Sequence, residues 1–223
     1  GKHGYACKQS TKRLIKQIED INPDVIQLHN IHGYYLNIKN LFSYLKRCNK
    51  EIIWTLHDCW TFTGHCAHFT FQKCNNWKEQ CGNCPQKGVY PKSYFFDNSK
   101  KEYQIKKELF TDIKNLTIVV PSVWLSDLVK HSFLNKYPVK VVSNGIDLGI
   151  FQPTKTIDVK EKYNIQKSKK IILGVATNWD NRKGLNDFIE LAKYLSDDYI
   201  IVIVGLKKEQ KKGLPNNIIG IER

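Results

Sequence analysis

The sequence predicts an α/β protein made of two Rossmann-like units, each a doubly wound parallel sheet covered by helices. Short apolar runs alternate with segments of helical period along most of the chain. That alternation is typical of parallel strands joined by helical crossovers. It stops once, over a polar, lysine-rich stretch, and then resumes. We therefore expect an N-terminal domain over residues 1–150, a linker over 151–168 and the start of a second domain over 169–223.

The N-terminal unit is expected to alternate helix and strand four times. Its first helix is indicated by Leu14, Ile18 and Ile21 at helical spacing, and Asn22-Pro23 ends it. The strands are runs of four to six mostly apolar residues. The predicted order is helix 12–21, strand 24–29, helix 36–48, strand 51–56, helix 100–114, strand 117–120, helix 124–133 and strand 139–142.

The second unit repeats the pattern with fewer elements. A short helical piece at 159–163 is followed by strand 170–176, helix 185–195, strand 199–204 and strand 217–221. Three strands are few for a sheet with a core of its own. No apolar run in the chain approaches the ~20 residues that cross a bilayer.

The composition is that of a globular protein with a strongly basic charge. The 223 residues are 41% hydrophobic and 25% charged, which argues against disorder, and the formal net charge is +14. Nearly all basic residues are lysine, whereas specific phosphate or base readers favour arginine. Three interpretations remain open: a solvated lysine surface, attraction to anionic lipid or phosphorylated substrates, and nucleic-acid binding.

Polar side chains gather where the predicted strands of the N-terminal unit end, which is where such sheets bind ligands. A lone histidine there is more often a packed, hydrogen-bonded residue than a functional one. Several histidines beside a carboxylate favour a site, with His57 and Asp58 at its centre. The residues are His29 and His32 after the first strand, His57 and Asp58 after the second, Ser122 after the third, and Asn144 after the fourth.

A basic triplet, Arg182-Lys183-Gly184, precedes the helix predicted in the second unit. Glycine allows close approach to the backbone, a helix start offers free N–H groups, and two cations neutralise charge. The triplet therefore suits a diphosphate, although it also fits a solvated helix start. Neither a Walker A loop nor a G-x-G-x-x-G fingerprint occurs.

Four of the seven cysteines fall in one short stretch, spaced Cys66-x7-Cys74-x6-Cys81-x2-Cys84. Tetrahedral zinc favours such sets, and the close Cys81–Cys84 pair is typical of a zinc knuckle. The segment lacks periodicity, so a structural Zn²⁺ ion would explain its order. Reduced packed cysteines, a disulfide and an iron–sulfur cluster are the alternatives, and the odd cysteine total argues against a disulfide framework.

A second function fits the same cysteines. A zinc knuckle with Trp77, Tyr90 and Phe95 nearby, on a basic chain, could form a nucleic-acid-binding module. The apolar strands and the pair His57-Asp58 have no role in such a module, so we expect no nucleic-acid partner.

Several stretches together resemble a known family. The chain is similar, over essentially its whole length, to family 4 (group 1) glycosyltransferases of the two-domain GT-B type, in the subgroup from bacterial capsule, lipopolysaccharide and colanic-acid gene clusters. The stretches that carry the resemblance are 23–33, 54–66, 121–125, 144–147, 151–153, 172–176, Trp179 and 182–185.

The resemblance implies a retaining transfer of a sugar from a nucleotide diphosphate to an acceptor hydroxyl, with no cofactor required for catalysis. It implies that His57 and the adjacent Asp58 are the catalytic residues, with His57 beside the transferred sugar, and that Lys183, Arg182 and Gly184 bind the diphosphate. The family's usual arginine after the first strand of its second domain is replaced here by Val175. Further sugar or acceptor contacts are expected at His32, Ser122 and Asn144.

The family also implies an acceptor and a location. The acceptor would be a lipid-linked or growing glycan, and the protein would be cytoplasmic, with peripheral association at the inner face of the plasma membrane. The family's glycine-rich loop would precede Gly1 and its Glu-x7-Glu motif would follow Arg223. We therefore expect both domains to be truncated, which leaves an inactive, acceptor- or membrane-docking fragment as an alternative.

Overall fold

The computed structural model describes residues 3–93, 95–153 and 158–222. The chain divides into two compact units, Gly1–Gly145 and Ile146–Arg223. Part of the expected linker, residues 154–157, lies outside the described residues.

The first unit is a four-stranded, all-parallel sheet with the strands in the order β1-β2-β3-β4. The strands therefore follow one another across the sheet in chain order, and helices connect them. The elements are α1 (Lys8–Ile21), β1 (Val25–Leu28), α2 (Ile38–Leu45), β2 (Glu51–Thr55), α3 (Ser99–Phe110), β3 (Leu116–Val120), α4 (Val123–Lys130) and β4 (Val139–Val141).

The core of this unit is built around three aromatic side chains. Phe42 of α2, Trp54 of β2 and Phe110 of α3 are at most 1% exposed, and their ring centroids are 4.4–5.1 Å apart. Burial of such large apolar surfaces is the main force that holds α2 and α3 against the sheet. The sheet edge that carries the candidate residues is thereby fixed.

The second unit has a three-stranded parallel sheet in the order β5-β6-β7. Its elements are α5 (Val159–Lys162), β5 (Lys170–Val175), α6 (Leu185–Leu191), β6 (Tyr199–Leu206) and β7 (Ile218–Glu222). Ile201 and Ile203 of β6, the central strand, are fully buried.

Most predicted elements are confirmed, and the ends differ for identifiable reasons. Helix α2 begins at Ile38 rather than residue 36 because the Asn37 side chain caps it, accepting the Asn40 N–H at 3.1 Å. Strand β6 continues to Leu206, past the predicted end at 204. Gly205 makes this possible: its φ is +93°, and a Cβ there would lie 1.8 Å from the Ala176 carbonyl oxygen.

Among the described residues between β2 and α3, the regular structure is three short 3₁₀ helices, at Trp60–Phe62, Thr70–Gln72 and Asn76–Lys78. Much of this segment packs into the first unit, since Phe62, Phe69 and Trp77 are buried in its core. Within the described residues, no helix combines the length and the apolar character needed to cross a membrane.

Candidate functional site

Two histidines meet at the carboxyl edge of the first sheet. His29 follows β1 and His57 follows β2, and the parallel register that pairs Leu28 with Trp54 brings them side by side. His29 Nδ1 and His57 Nε2 are 3.0 Å apart, and the rings are stacked. Both side chains are exposed, so a ligand can reach them.

A second pair joins the same edge. His32 Nε2 lies 3.1 Å from Asp58 Oδ2, and Asp58 Oδ1 accepts the Trp60 N–H at 2.9 Å. Burial raises the pKa of Asp58, but the hydrogen bonds from His32 and Trp60 outweigh it, so the net pKa is below the usual value. Asp58 is therefore ionised at neutral pH, and both of its oxygens are engaged.

The Trp60 side chain packs against the His32–Asp58 pair. Its ring stacks on His32 with centroids 5.0 Å apart, and Lys106 Nζ of α3 lies 3.5 Å from the Trp60 ring centroid. Lys106 is 1% exposed and donates hydrogen bonds to the carbonyl oxygens of Trp60 (2.8 Å) and Thr63 (2.9 Å). Burial lowers the pKa of Lys106 to about 7. This lysine fixes the backbone that carries Asp58.

A polar and aromatic cavity opens beside Trp60. Tyr5 donates a hydrogen bond to Glu102 at 2.6 Å on one wall, and His3 packs edge-on to Tyr34 and Trp60. Burial lowers the pKa of His3 to about 4, so this ring is neutral at physiological pH. The cavity is lined by His3, Tyr5, Tyr34, Trp60, His65, Glu102 and Lys106, among others.

Two further predicted contacts have different surroundings. Ser122 caps α4, and its hydroxyl accepts the Leu125 N–H at 3.3 Å. Asn144 lies beyond β4 in an exposed stretch. The described hydrogen bonds do not join either residue to the histidine pairs.

In the second unit the basic triplet follows β5. Arg182 and Lys183 end a single 3₁₀ turn and are exposed, and Gly184 has a left-handed φ of +76° before α6. Asp180 caps the turn by accepting the Lys183 N–H at 3.0 Å. The buried Trp179 holds the loop against the sheet through a 2.9 Å hydrogen bond to the Val204 carbonyl.

The four clustered cysteines also come together. Cys66, Cys74, Cys81 and Cys84 line one small cavity, and all are free thiols. The Sγ atoms of Cys66 and Cys84 are 3.8 Å apart. As these side chains stand, no three His, Cys, Asp or Glu residues in the described ranges form a ready metal site.

Sequence reasoning misses the buried supports of the site. Lys106 falls on the apolar stripe of α3 with Tyr103 and Phe110, spaced i−3 and i+4, and a lysine on such a stripe could have signalled a buried role. The sequence shows only that His29 follows the first strand. Its contact with His57 depends on the register between β1 and β2, which the sequence pattern does not specify.

Comparison with known proteins places these features in context. No family model matches the chain. The chain is 31% identical over 133 residues to the putative colanic acid biosynthesis glycosyl transferase WcaC of Escherichia coli K12, covering 56% of this chain and 32% of that protein. It is 29% identical over 112 residues to a processive diacylglycerol alpha-glucosyltransferase of Acholeplasma laidlawii, covering 46% and 33%. The matched stretch thus spans about a third of each of these curated relatives.

Solved structures share the fold. Sucrose-phosphate synthase of Thermosynechococcus elongatus superposes with a TM-score of 0.58 at 12% identity, over 96% of this chain and 49% of that one. HepE of Anabaena, solved in complex with UDP-glucose, gives 0.52 at 11% identity, over 96% and 52%. The predicted resemblance is thus confirmed: the chain is similar in sequence to glycosyltransferases and has the fold of the GT-B class.

Proposed function

We propose that this chain is part of a glycosyltransferase that moves a sugar from a nucleotide diphosphate to a glycan or lipid-linked acceptor, with retention of configuration. The observation that carries the proposal is the histidine–aspartate edge of the first sheet, in a chain whose relatives are glycosyltransferases. HepE was solved with UDP-glucose, which favours a uridine diphosphate sugar as the donor.

His57 would contact the transferred sugar. Its Nε2 atom is engaged by His29, and its Nδ1 atom has no hydrogen bond to another described residue. An exposed ring nitrogen that is held in a fixed orientation can form a hydrogen bond with a sugar hydroxyl at little entropic cost. Asp58 would act as a positioning residue, because its two oxygens hold His32 and the Trp60 backbone.

Lys183, with Arg182 and the Gly184 backbone, would bind the diphosphate. Cleavage of the bond between the anomeric carbon and the phosphate oxygen leaves negative charge on the departing diphosphate. Cations that meet this charge as it develops lower the barrier, and they need no metal ion to do so. Exposed side chains on a capped turn suit this role because they can close on the ligand.

The acceptor is proposed from the relatives and the charge. One relative is named for colanic acid synthesis and the other for glucosylation of diacylglycerol, so a lipid-linked or growing surface glycan fits both. The net charge of +14 would favour peripheral binding to an anionic membrane surface, and the surface proposed is the cytoplasmic face of the plasma membrane. Ser122, Asn144 and His32 remain proposed sugar or acceptor contacts.

The test is a transfer assay of His57→Ala, expressed from the complete reading frame that encodes the chain. Radiolabelled UDP-glucose and related donors are incubated with a bacterial lipid extract, and labelled glycolipid is counted. We expect turnover to fall roughly 10²- to 10³-fold, as when one transition-state contact is removed. The thermal midpoint should stay near that of the wild type, because His57 is exposed.

His131→Ala is the matched control, since His131 is an exposed histidine at the end of α4, far along the chain from the edge. Wild-type turnover in both variants would refute the role of His57. Absence of labelled product from every nucleotide sugar, with folded wild-type protein, would refute the transferase assignment itself.

A further inference from the structure

We propose that Cys66, Cys74, Cys81 and Cys84 bind one Zn²⁺ ion tetrahedrally, and that this ion fixes the segment between β2 and α3. The inference concerns the stability of that segment and does not depend on the transferase activity.

The four thiols line one cavity, and one pair of them already has the spacing of two zinc ligands. Residues separated by up to 18 positions in sequence line one cavity, and the Sγ atoms of Cys66 and Cys84 are 3.8 Å apart. Two thiolates at 2.3 Å from zinc in a tetrahedron lie about 3.8 Å apart. One edge of the tetrahedron is therefore already formed. Cys74 and Cys81, both half-buried at the same cavity, would complete it by rotation of their side chains.

The surroundings suit thiolate ligands. The Gly64 N–H donates to Cys81 Sγ at 3.2 Å, and backbone amides of this kind stabilise negative charge on ligating sulfur. Phe69 and Trp77 line the same cavity, and both are buried. An apolar shell of this kind limits access of water to a metal. No disulfide competes for these sulfurs among the described residues.

The segment itself needs a cross-link. From residue 63 to residue 98, the described chain has only two 3₁₀ turns and no strand. Segments of more than about 12–15 residues without regular structure are uncommon inside compact domains. Lys73 and Asn83 adopt left-handed backbone conformations between the cysteines, which shows how tightly the chain turns there. Phe69 and Trp77 anchor part of the segment in the core, and a structural metal would add folding free energy to the remainder.

The proposed zinc site adjoins the Trp60 support. Thr63 donates its hydroxyl to the Cys66 carbonyl at 2.6 Å and presents its own carbonyl to Lys106. Gly64 packs so closely that a Cβ there would lie 1.9 Å from the Ser99 carbonyl oxygen and 2.8 Å from the Cys81 Cβ. Loss of the metal would therefore loosen the backbone between Trp60 and α3 as well as the cysteine segment.

The first experiment uses the unmodified chain, purified without a metal-affinity tag. We expect elemental analysis to give one zinc ion per chain. Replacement by Co²⁺ should give the intense visible bands of tetrahedral thiolate coordination. A strong chelator should lower the thermal midpoint and make the four cysteines reactive to an alkylating reagent.

Variants then assign the ligands. Cys81→Ser should weaken zinc binding by more than the roughly 10- to 100-fold that removal of an outer-shell partner costs. Cys48→Ser is the matched control, because Cys48 is also half-buried but lies just beyond α2, where its thiol donates to the Leu45 carbonyl, and the variant should retain zinc fully. If Cys81→Ser does not fold, the cobalt spectrum of the wild type still tests the site.

Three results would overturn the proposal. One is folded wild-type protein with substoichiometric zinc and a midpoint indifferent to chelator. Another is a Cys66–Cys84 disulfide found by mass spectrometry of protein kept under reducing conditions. The third is iron with inorganic sulfide in place of zinc.

Discussion

The two units present their candidate residues in opposite ways. At the edge of the first sheet the side chains hold one another: His32 binds Asp58 and stacks on Trp60, and the buried Lys106 amine lies against the Trp60 ring. At the edge of the second sheet only the backbone is held, by the Asp180 cap and the buried Trp179, while the cations of Arg182 and Lys183 remain exposed.

This difference follows from what each edge has to do under the proposed function. A group that orients a sugar must be fixed before the substrate arrives, because errors of about 1 Å are costly in rate. A cation that neutralises a diphosphate acts through a long-range, weakly directional force, so a flexible lysine is sufficient. Substitutions of the buried supports of the first edge, such as Lys106, should therefore affect stability, whereas substitutions of the exposed cations of the second edge should affect function alone.

The largest effect is expected from Lys183→Ala. Removal of one cation that meets the developing diphosphate charge should lower turnover roughly 10²- to 10³-fold, with the thermal midpoint unchanged because the side chain is exposed. Turnover and melting of the protein from its complete reading frame are the measurements.

Lys212→Ala provides the control, since Lys212 is an exposed lysine of the same unit, outside the loop that follows β5. Equal small losses in both variants would mean that the effect is general electrostatics, and the contrast between the two edges would fail.

An intermediate effect is expected from Lys106→Met in the first unit. Methionine keeps much of the side-chain volume but removes the donor to the buried Thr63 carbonyl and the shortest hydrogen bond to the Trp60 carbonyl, which should cost about 1–3 kcal/mol of unfolding free energy. Urea denaturation followed by tryptophan fluorescence measures it.

The pH dependence of this loss has a definite sign. Burial favours the neutral amine of Lys106, so between pH 7 and the ordinary lysine pKa near 10.4 the folded chain binds fewer protons than the unfolded chain. The contribution of Lys106 to the unfolding free energy of the wild type therefore rises with pH in that window and is lost as the pH falls towards 7. The destabilisation of Lys106→Met should therefore be larger at pH 9 than at pH 6.

Lys107→Met is the control, because Lys107 is the exposed neighbour on the same helix. If the two variants showed the same pH profile, the buried amine would not be the titrating group.

The sequence is sufficient for the order of the elements and for the grouping of polar side chains at one edge of the first sheet. Apolar runs such as those of β2 and β6 are set by local pattern, and parallel strands must end at a common edge, which is why the sequence alone groups His32, His57 and Asp58. The pair His32–Asp58 is 3.1 Å apart at that edge.

The sequence pattern does not predict contacts that depend on strand register or on tertiary packing. The contact of His29 with His57 depends on how β1 aligns with β2. The burial of Lys106 depends on where α3 meets the Trp60 turn, 46 positions away in the chain. Non-local contacts of this kind leave only weak local signals, such as a lysine on an otherwise apolar stripe.

The smallest effect is expected at the cap of the second unit's loop. Asp180→Ala removes the side chain that accepts the Lys183 N–H, which should cost about 1 kcal/mol locally. Because Trp179 anchors the same loop independently and the Lys183 N–H keeps its 3.0 Å hydrogen bond to the Asp180 carbonyl, the unit should remain folded, and the loss should appear as a modest acceleration of hydrogen exchange at the Lys183 amide. Asp180→Asn keeps an acceptor of similar capping strength and should restore protection.

Since the proposed role of Lys183 requires only an approximate position, turnover should fall much less in Asp180→Ala than in Lys183→Ala. A loss as large as that of Lys183→Ala would show that the second edge, like the first, depends on a fixed geometry.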